Sequence, residues 1–555
     1  MSAINVAAKS PFLLKDMLVR HAEEVGRSDL ELIDASRGAA NWQQPRVLAA
    51  WHALGLYAAR AAGRPDDAKQ VAGGLDPEAA HHKAFAEFAE GLARASAELA
   101  DGCELLTRTW EYLGEQVLTD RSLDRIVYEF AEAAAGRIYP SPPTLSFVQP
   151  ILARYLAPLL FGGDLDLARQ FPVIMCEGAT TGIAQVAATL ARNRLLKPGD
   201  SVAMWWPTYE PLRDLVERQL GCRIVPIHRD PEGDWALPPG RDELDKLRDP
   251  AVRLAIVVSP GNPVPVVTDP ASLDALEAAA AERPDLLILG DYVYMHFLDP
   301  ACGGMDTEIR RLPRNTIGAY SFSKDFGLAG ARIGALLIHP ECVAEQAVRE
   351  LGEPERSEAD ASYRARSPAE VPPWRDCDLP LSDRLVADSR GVSFVHMSGL
   401  STPLQALACL CACYDLVPPR RDSEQYFEWV RAELGGRLEA FYEGLGLSVP
   451  AWSSGPTSRY STVIDLCQVA AARGGQELAE ALRERDLWAF MLHLAHAQRV
   501  VLTPGEGFGA GEWSARVCFP SVDAEQCREL GRRVAEAVEE FARGSACPLC
   551  DADQQ

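Results

Sequence analysis

From about residue 170 the chain alternates short apolar runs with amphipathic stretches. Seven runs read as strands: Pro172 to Cys176, Ser201 to Met204, Arg223 to Ile227, Leu254 to Val258, Leu286 to Leu289, Thr316 to Phe322 and Ala335 to Ile338. Between them, Thr181 to Leu196, Glu210 to Leu220 and Ser272 to Glu282 read as helices. Strands alternating with helices predict an α/β fold with a mostly parallel seven-stranded sheet covered on both faces. Ligands of such sheets bind beyond the carboxyl ends of the strands. Functional residues are therefore expected immediately after each run.

Before this unit lie segments of helical pattern at Val47 to Ala62, Pro77 to Asp101 and Ser122 to Ala135. After it, a charged, proline-containing stretch at about 345–390 reads as a surface insertion. The C-terminal part mixes strands (Ser461 to Leu466, Arg499 to Thr503, Ala515 to Phe519) with a closing amphipathic helix from Ala524 to Arg543. The expected layout is an N-terminal arm over 1–60, a helical insertion over 61–135 and a large domain over 136–395. A smaller C-terminal domain follows over 396–545, with a tail at 546–555.

The length of 555 residues suits two or three domains. A net charge of -24 disfavours nucleic acid or an anionic membrane as a partner. No apolar stretch is long enough to span a bilayer, and the start carries no signal-peptide pattern, so a cytoplasmic protein is expected. The 14 cysteines are scattered. Cys547-Pro-Leu-Cys550 is a lone CxxC in the tail, and no zinc spacing is present, so no metal is expected.

The chemistry concentrates around Lys324. It is one of only seven lysines among 55 basic residues, and it follows a strand, between Ser323 and a run that reaches Arg332. An amine beside hydroxyls (Ser321, Ser323) and a guanidinium suits pyridoxal 5′-phosphate (PLP), whose aldehyde condenses with lysine and whose phosphate needs such donors. Other strand ends supply a matching set. Gly178-Ala179-Thr180 opens a helix and offers backbone N–H groups to an anion. Tyr209 can stack on a pyridine ring. Asn262 and Tyr294 can reach its phenolate oxygen, and Asp291 can hold its ring-nitrogen proton.

This ordered set resembles the fold-type I PLP enzymes of the aspartate aminotransferase superfamily, and within it the aspartate 4-decarboxylase family. The likeness extends to Arg37-Gly38, Tyr139-Pro140, Asn193 to Asp200, Asp383 to Arg390, Gly399 to Pro403 and Pro504 to Gly509. It implies a large PLP-binding domain plus a smaller α+β domain, with Lys324 as the Schiff-base lysine and proton shuttle. Ser321, Ser323, Arg332 and Thr180 would hold the phosphate. Tyr139 would reach the phosphate of a neighbouring subunit, making a homodimer the minimum. Arg516 would clamp the substrate α-carboxylate, and Lys15 and Arg37 match positions near the substrate side chain, though both also suit solvated surface charges.

The implied activity is aspartate transamination or 4-decarboxylation through an external aldimine and a quinonoid. Departures from the family pattern keep a second activity open: β- or γ-elimination or replacement, or carbon–carbon bond formation, on another amino acid such as S-adenosylmethionine. They are Ser259-Pro-Gly-Asn-Pro-Val-Pro265, Tyr292 where an acidic residue is usual, Ala331 where tryptophan is usual, and Trp205-Trp206. The two tryptophans suit either a planar partner or core packing. A PLP-binding regulator would need a basic DNA-binding module, which this acidic chain does not supply.

Overall fold

The computed structural model describes residues 11–62, 74–139, 144–229, 235–302, 306–361, 363, 379–389, 391–392, 395–396 and 399–544. Its centre is a seven-stranded sheet. Across it the strands run in the order Val173–Cys176, Gly334–Ile338, Thr316–Ser321, Leu287–Asp291, Val252–Val258, Ser201–Trp206 and Arg223–His228. All neighbours pair in parallel except at Gly334–Ile338, which is antiparallel to both its neighbours.

The near-continuous apolar strands have a simple cause. Successive side chains point to opposite faces, and here both faces are covered. Ala255, Val257 and Ile288 enter one core with Ala203 and Trp205, whereas Leu254, Ile256, Leu287 and Leu289 enter the other with Val202 and Met204. Helices Ala179–Arg192 and Pro270–Glu282 fall where the pattern places them. The 210–220 segment is an α-helix only over Glu210–Asp214 and continues as a π-helical turn, Leu215–Gln219.

A second, antiparallel sheet holds Ser461–Asp465, Ser514–Cys518 and Thr503–Pro504, with Ser514–Cys518 in the middle. Helices Arg421–Leu445 and Ala524–Ala542 pack against each other beside it. Near the N-terminus, Ile33–Asp34 pairs in parallel with Val500–Val501, which delivers residues 35–38 to the space between the two sheets. The helical pattern at 77–101 divides at Ser96, whose hydroxyl accepts from Leu99 N–H and caps a new helix, Ala97–Tyr112.

The described parts of the 345–390 segment are mostly exposed over 352–358 but are tied to the large domain at a few buried positions. Helices Glu355–Ala361 and Leu381–Ser389 are tied down by a buried polar network. Arg384 donates to Asp360 at 2.7 Å and to Asn193 at 2.6 Å, and Asn193 in turn donates to Tyr363 at 2.7 Å. Tyr363 completes it by donating to Asp388 at 2.9 Å. These helices are anchored by hydrogen bonds as much as by an apolar face. Residues 364–378, Pro140, and the tail with Cys547 and Cys550 lie outside the described residues. Among the described residues no helix is long and apolar enough to cross a membrane.

Candidate active site

Lys324 lies three residues beyond the Thr316–Ser321 strand, and Asp291 ends the adjacent Leu287–Asp291 strand. Neighbouring parallel strands thus carry an amine and a carboxyl to one end of the sheet. The Lys324 ammonium donates to the carbonyl of Gly38 at 2.5 Å and sits 5.5 Å from the centre of the Tyr460 ring. Burial lowers its pKa to about 8, with Cys518 opposing that shift and the Arg516 and Arg332 charges adding to it. Asp291 is buried, and burial raises its carboxyl to about 7 against a backbone N–H at Val293 and the nearby Lys324 charge.

Gly178, Ser321, Ser323 and Arg332 gather into a cluster of possible anion donors. Gly178, at φ +95°, caps the 179–192 helix, and a Cβ there would stand 2.5 Å from an Arg332 guanidinium nitrogen. Arg332 itself takes a left-handed backbone, φ 55°, and donates to Ser323 Oγ at 3.5 Å. Ser321 Oγ donates to the Ile333 carbonyl at 3.2 Å and accepts from Ser323 N–H at 3.1 Å, which fixes both hydroxyls beside the lysine. Tyr209 hydrogen-bonds to Thr180 and lies within electrostatic reach of Asp291 and Arg516. Asn262 donates its amide to the Tyr294 hydroxyl at 3.2 Å.

Arg516 enters from the middle strand of the second sheet. It is 3% exposed, yet its Nε and Nη1 have no hydrogen-bond partner, and its guanidinium carbon lies 5.1 Å from the Phe508 ring centre. Its third nitrogen meets the Cys518 thiol at 2.6 Å. Gly38 separates the two cations: a Cβ built on it would lie 3.3 Å from Lys324 Nζ and 3.6 Å from Arg516 Nη2. Tyr460 donates to that same Gly38 carbonyl at 2.9 Å and packs 4.9 Å from Tyr294.

Three further predicted residues make the following contacts. Arg37 is exposed and paired with Asp34 at 2.7 Å. Lys15 lies on helix Pro11–Val25 and pairs with Asp16 at 3.0 Å. Tyr139 is 70% exposed at the surface. Among the departures, Tyr292 lies flat on Gly290 and donates its hydroxyl to buried Glu308 at 3.1 Å, so its role is in the core. Trp205 is likewise core, donating to Ser272 at 3.5 Å. The idea that it offers a flat surface to a planar partner is overturned by its burial.

Sequence reasoning gave no role to Gly38, Tyr460, Cys518 or Phe508. Gly38 had a signal, its place beside Arg37 in a matched stretch. Tyr460 had only its position before a strand.

The groups without partners test whether PLP fits. Asp291 Oδ1, Asn262 Oδ1 and two Arg516 nitrogens are buried and unsatisfied, each at a cost of about 1–3 kcal/mol if left so. A cationic ring nitrogen suits the first, a phenolic oxygen lies within the chemistry of the Asn262–Tyr294 pair, and a carboxylate suits Arg516. The residues fit the cofactor.

A carboxylate and a lysine leaving adjacent parallel strands, opposite a helix-opening glycine, define a fold-type I PLP enzyme. Residues 112–534 match the model for aminotransferase class I and II, and the chain belongs to that family. It is 32% identical to the bifunctional aspartate aminotransferase and L-aspartate beta-decarboxylase of a Pseudomonas species, over 97% of each chain. Over 30% of the chain and 40% of the relative it is 33% identical to valine–pyruvate aminotransferase of Mycobacterium tuberculosis. Its fold matches the aspartate aminotransferase of Rhizobium meliloti, with TM-score 0.56, 15% identity and coverage of 97% and 98%. It also matches cystalysin of Treponema denticola, a structure containing PLP, with TM-score 0.56, 12% identity and 98% coverage of both chains. The protein is a PLP-dependent enzyme of the aminotransferase type.

Proposed function

We propose that this enzyme acts on aspartate, either exchanging its amino group with a keto acid or releasing its 4-carboxyl as carbon dioxide. The observation that carries an amino acid substrate is Arg516, a buried guanidinium with two unpartnered nitrogens beside the Lys324 amine. The full-length likeness to the Pseudomonas enzyme supports aspartate in particular.

When bound, PLP supplies a reactive carbonyl and an electron-withdrawing ring. In this reading every other task belongs to the chain. Arg516 holds the α-carboxylate through two parallel N–H donors, which fixes the orientation of the substrate Cα. Asp291 carries negative charge opposite a ring nitrogen, and a cation there favours its ionised form over the protonated one that burial alone favours. Lys324, with its pKa brought down to about 8, exists in part as a free amine near neutrality and moves the proton at Cα. Tyr209, Tyr294 and Tyr460 wall the site and exclude water. Ser321, Ser323, Arg332, Thr180 and the N–H groups after Gly178 hold the phosphate. Tyr139, exposed on this chain, reaches the phosphate site of a second copy in a homodimer or larger assembly of a cytoplasmic enzyme.

One observation favours a different substrate, the ion pair between Arg37 and Asp34. A guanidinium already neutralised attracts a 4-carboxylate less, which suits elimination or replacement on another amino acid. Incubating the holoenzyme with aspartate decides between the two. Alanine with carbon dioxide, or oxaloacetate when a keto acid is added, is expected. No turnover of aspartate, with a change of cofactor absorbance on S-adenosylmethionine, favours the second reading.

A further inference from the structure

Trp206 does something its neighbour Trp205 does not. It ends the Ser201–Trp206 strand partly buried, and its indole meets a turn from the far end of the chain, Gly505 to Gly509. Gly509 has φ +84°, and a Cβ there would stand 1.8 Å from the Trp206 indole nitrogen. Only glycine allows so close an approach.

Arg213, in the short helix Glu210–Asp214, lays its guanidinium carbon 4.8 Å from the Trp206 ring centre. From there it donates to the carbonyls of Gly507 at 2.8 Å and Glu506 at 3.3 Å. Between the two residues, Thr208 N–H donates to the Phe508 carbonyl at 2.9 Å. Three consecutive carbonyls of the turn are thus held by one segment beside the large sheet. The consequence falls on the fully buried Phe508 ring, which is the face against which Arg516 rests. The Arg516 nitrogens Nε and Nη1 have no partner of their own, so the ring and the Cys518 thiol set where the guanidinium points.

We propose that Trp206 and Arg213 are positioning residues for substrate: by pinning the 505–509 turn they hold Phe508 under Arg516 and so set the affinity for the α-carboxylate. This rests on the reading of Arg516 given above. A guanidinium displaced by even 1 Å loses bidentate geometry, whereas Lys324, Asp291, Ser321, Ser323 and Arg332 stand on other segments. The effect should therefore appear in substrate affinity more than in cofactor binding.

The test uses the holoenzyme and succinate, a dicarboxylate without an amine that cannot condense with the cofactor. Its Kd is read from tryptophan fluorescence or cofactor absorbance in wild type, W206F, R213A, R213K and R516A, and in the R213A/R516A double variant. R213A is expected to raise the succinate Kd and the KM for aspartate about tenfold, with kcat and the Kd for PLP each changed about twofold at most. W206F should shift Kd less than R213A, and R213K should restore part of the loss. The double variant should bind no more weakly than R516A alone, because both changes act through one guanidinium. Unchanged Kd in R213A and W206F, or fully additive losses in the double variant, overturns the proposal while leaving Arg516 as the carboxylate site. If R516A binds succinate as wild type does, or wild type does not bind it, the underlying reading of Arg516 fails instead.

Discussion

Two adjacent side chains, Lys324 and Asp325, are pushed by the same force in opposite directions. Burial lowers the Lys324 ammonium to about 8 and raises the Asp325 carboxyl to about 8, because each charged form loses its hydration. Lys324 reaches Gly38, while Asp325 turns into a buried chain of hydroxyls. Tyr320 donates to Asp325, Tyr155 and Tyr320 lie 2.9 Å apart, and His296 Nε2 is 2.8 Å from Tyr155. Folded Asp325 keeps a proton that the unfolded chain releases above its ordinary value of 3.8. Its contribution to stability is therefore greatest in acid, falls as pH rises between about 4 and 8, and levels off above that. Asp325→Asn mimics the neutral acid and should flatten this fall. Urea midpoints of wild type and variant should converge toward low pH and separate, with the variant the more stable, as pH rises toward about 8. A constant difference across that range contradicts the assignment. Lys324→Ala should remove the visible absorbance of the lysine-linked cofactor, and its survival would place the linkage elsewhere.

At the scale of elements, each residue taken from a strand end was legible because its placement is local. An apolar run ends, a helix or turn begins, and Thr180, Asn262, Asp291 and Lys324 stand at such ends. Turns that meet distant segments were not legible. Gly327 shows why. Its φ is +66°, and a Cβ on it would lie 1.9 Å from the carbonyl oxygen of Trp42. Neither Phe326-Gly327-Leu328 nor the sequence around Trp42 announces that approach. Gly327→Ala combines left-handed strain with a backbone clash and should cost about 2–4 kcal/mol, seen as a lower melting temperature of the holoenzyme. An unchanged melting temperature would mean that the Trp42 backbone yields at little cost. The Arg384 network escaped for a related reason, since Asn193 and Arg384 are 191 residues apart and meet only after both helices dock.

At the scale of the whole molecule, assembly bears on the phosphate site. Ile138 and Tyr139 are both more than half exposed, which leaves Tyr139 accessible to a second copy. In the homodimer proposed above Tyr139 would complete the partner's phosphate site. Sedimentation should then give at least twice the 60.4 kDa chain mass, and Tyr139→Phe should weaken PLP retention without changing the mass. A fully active monomer that retains its cofactor sinks that arrangement.

By itself the sequence determined the alternation of strands and helices, and with it the order in which the side chains proposed to hold the cofactor leave the large sheet. Those facts follow from residue period and from what may stand at a strand end. Tertiary structure alone decided that Gly38 lies between Lys324 and Arg516, that Tyr460 closes over the same carbonyl, and that Trp206 faces a glycine turn while Trp205 faces the core. Gly38 and Lys324 are 286 residues apart and Gly38 and Tyr460 are 422 apart. Contacts at such separations are fixed by how two sheets pack, and no local preference of either segment encodes them.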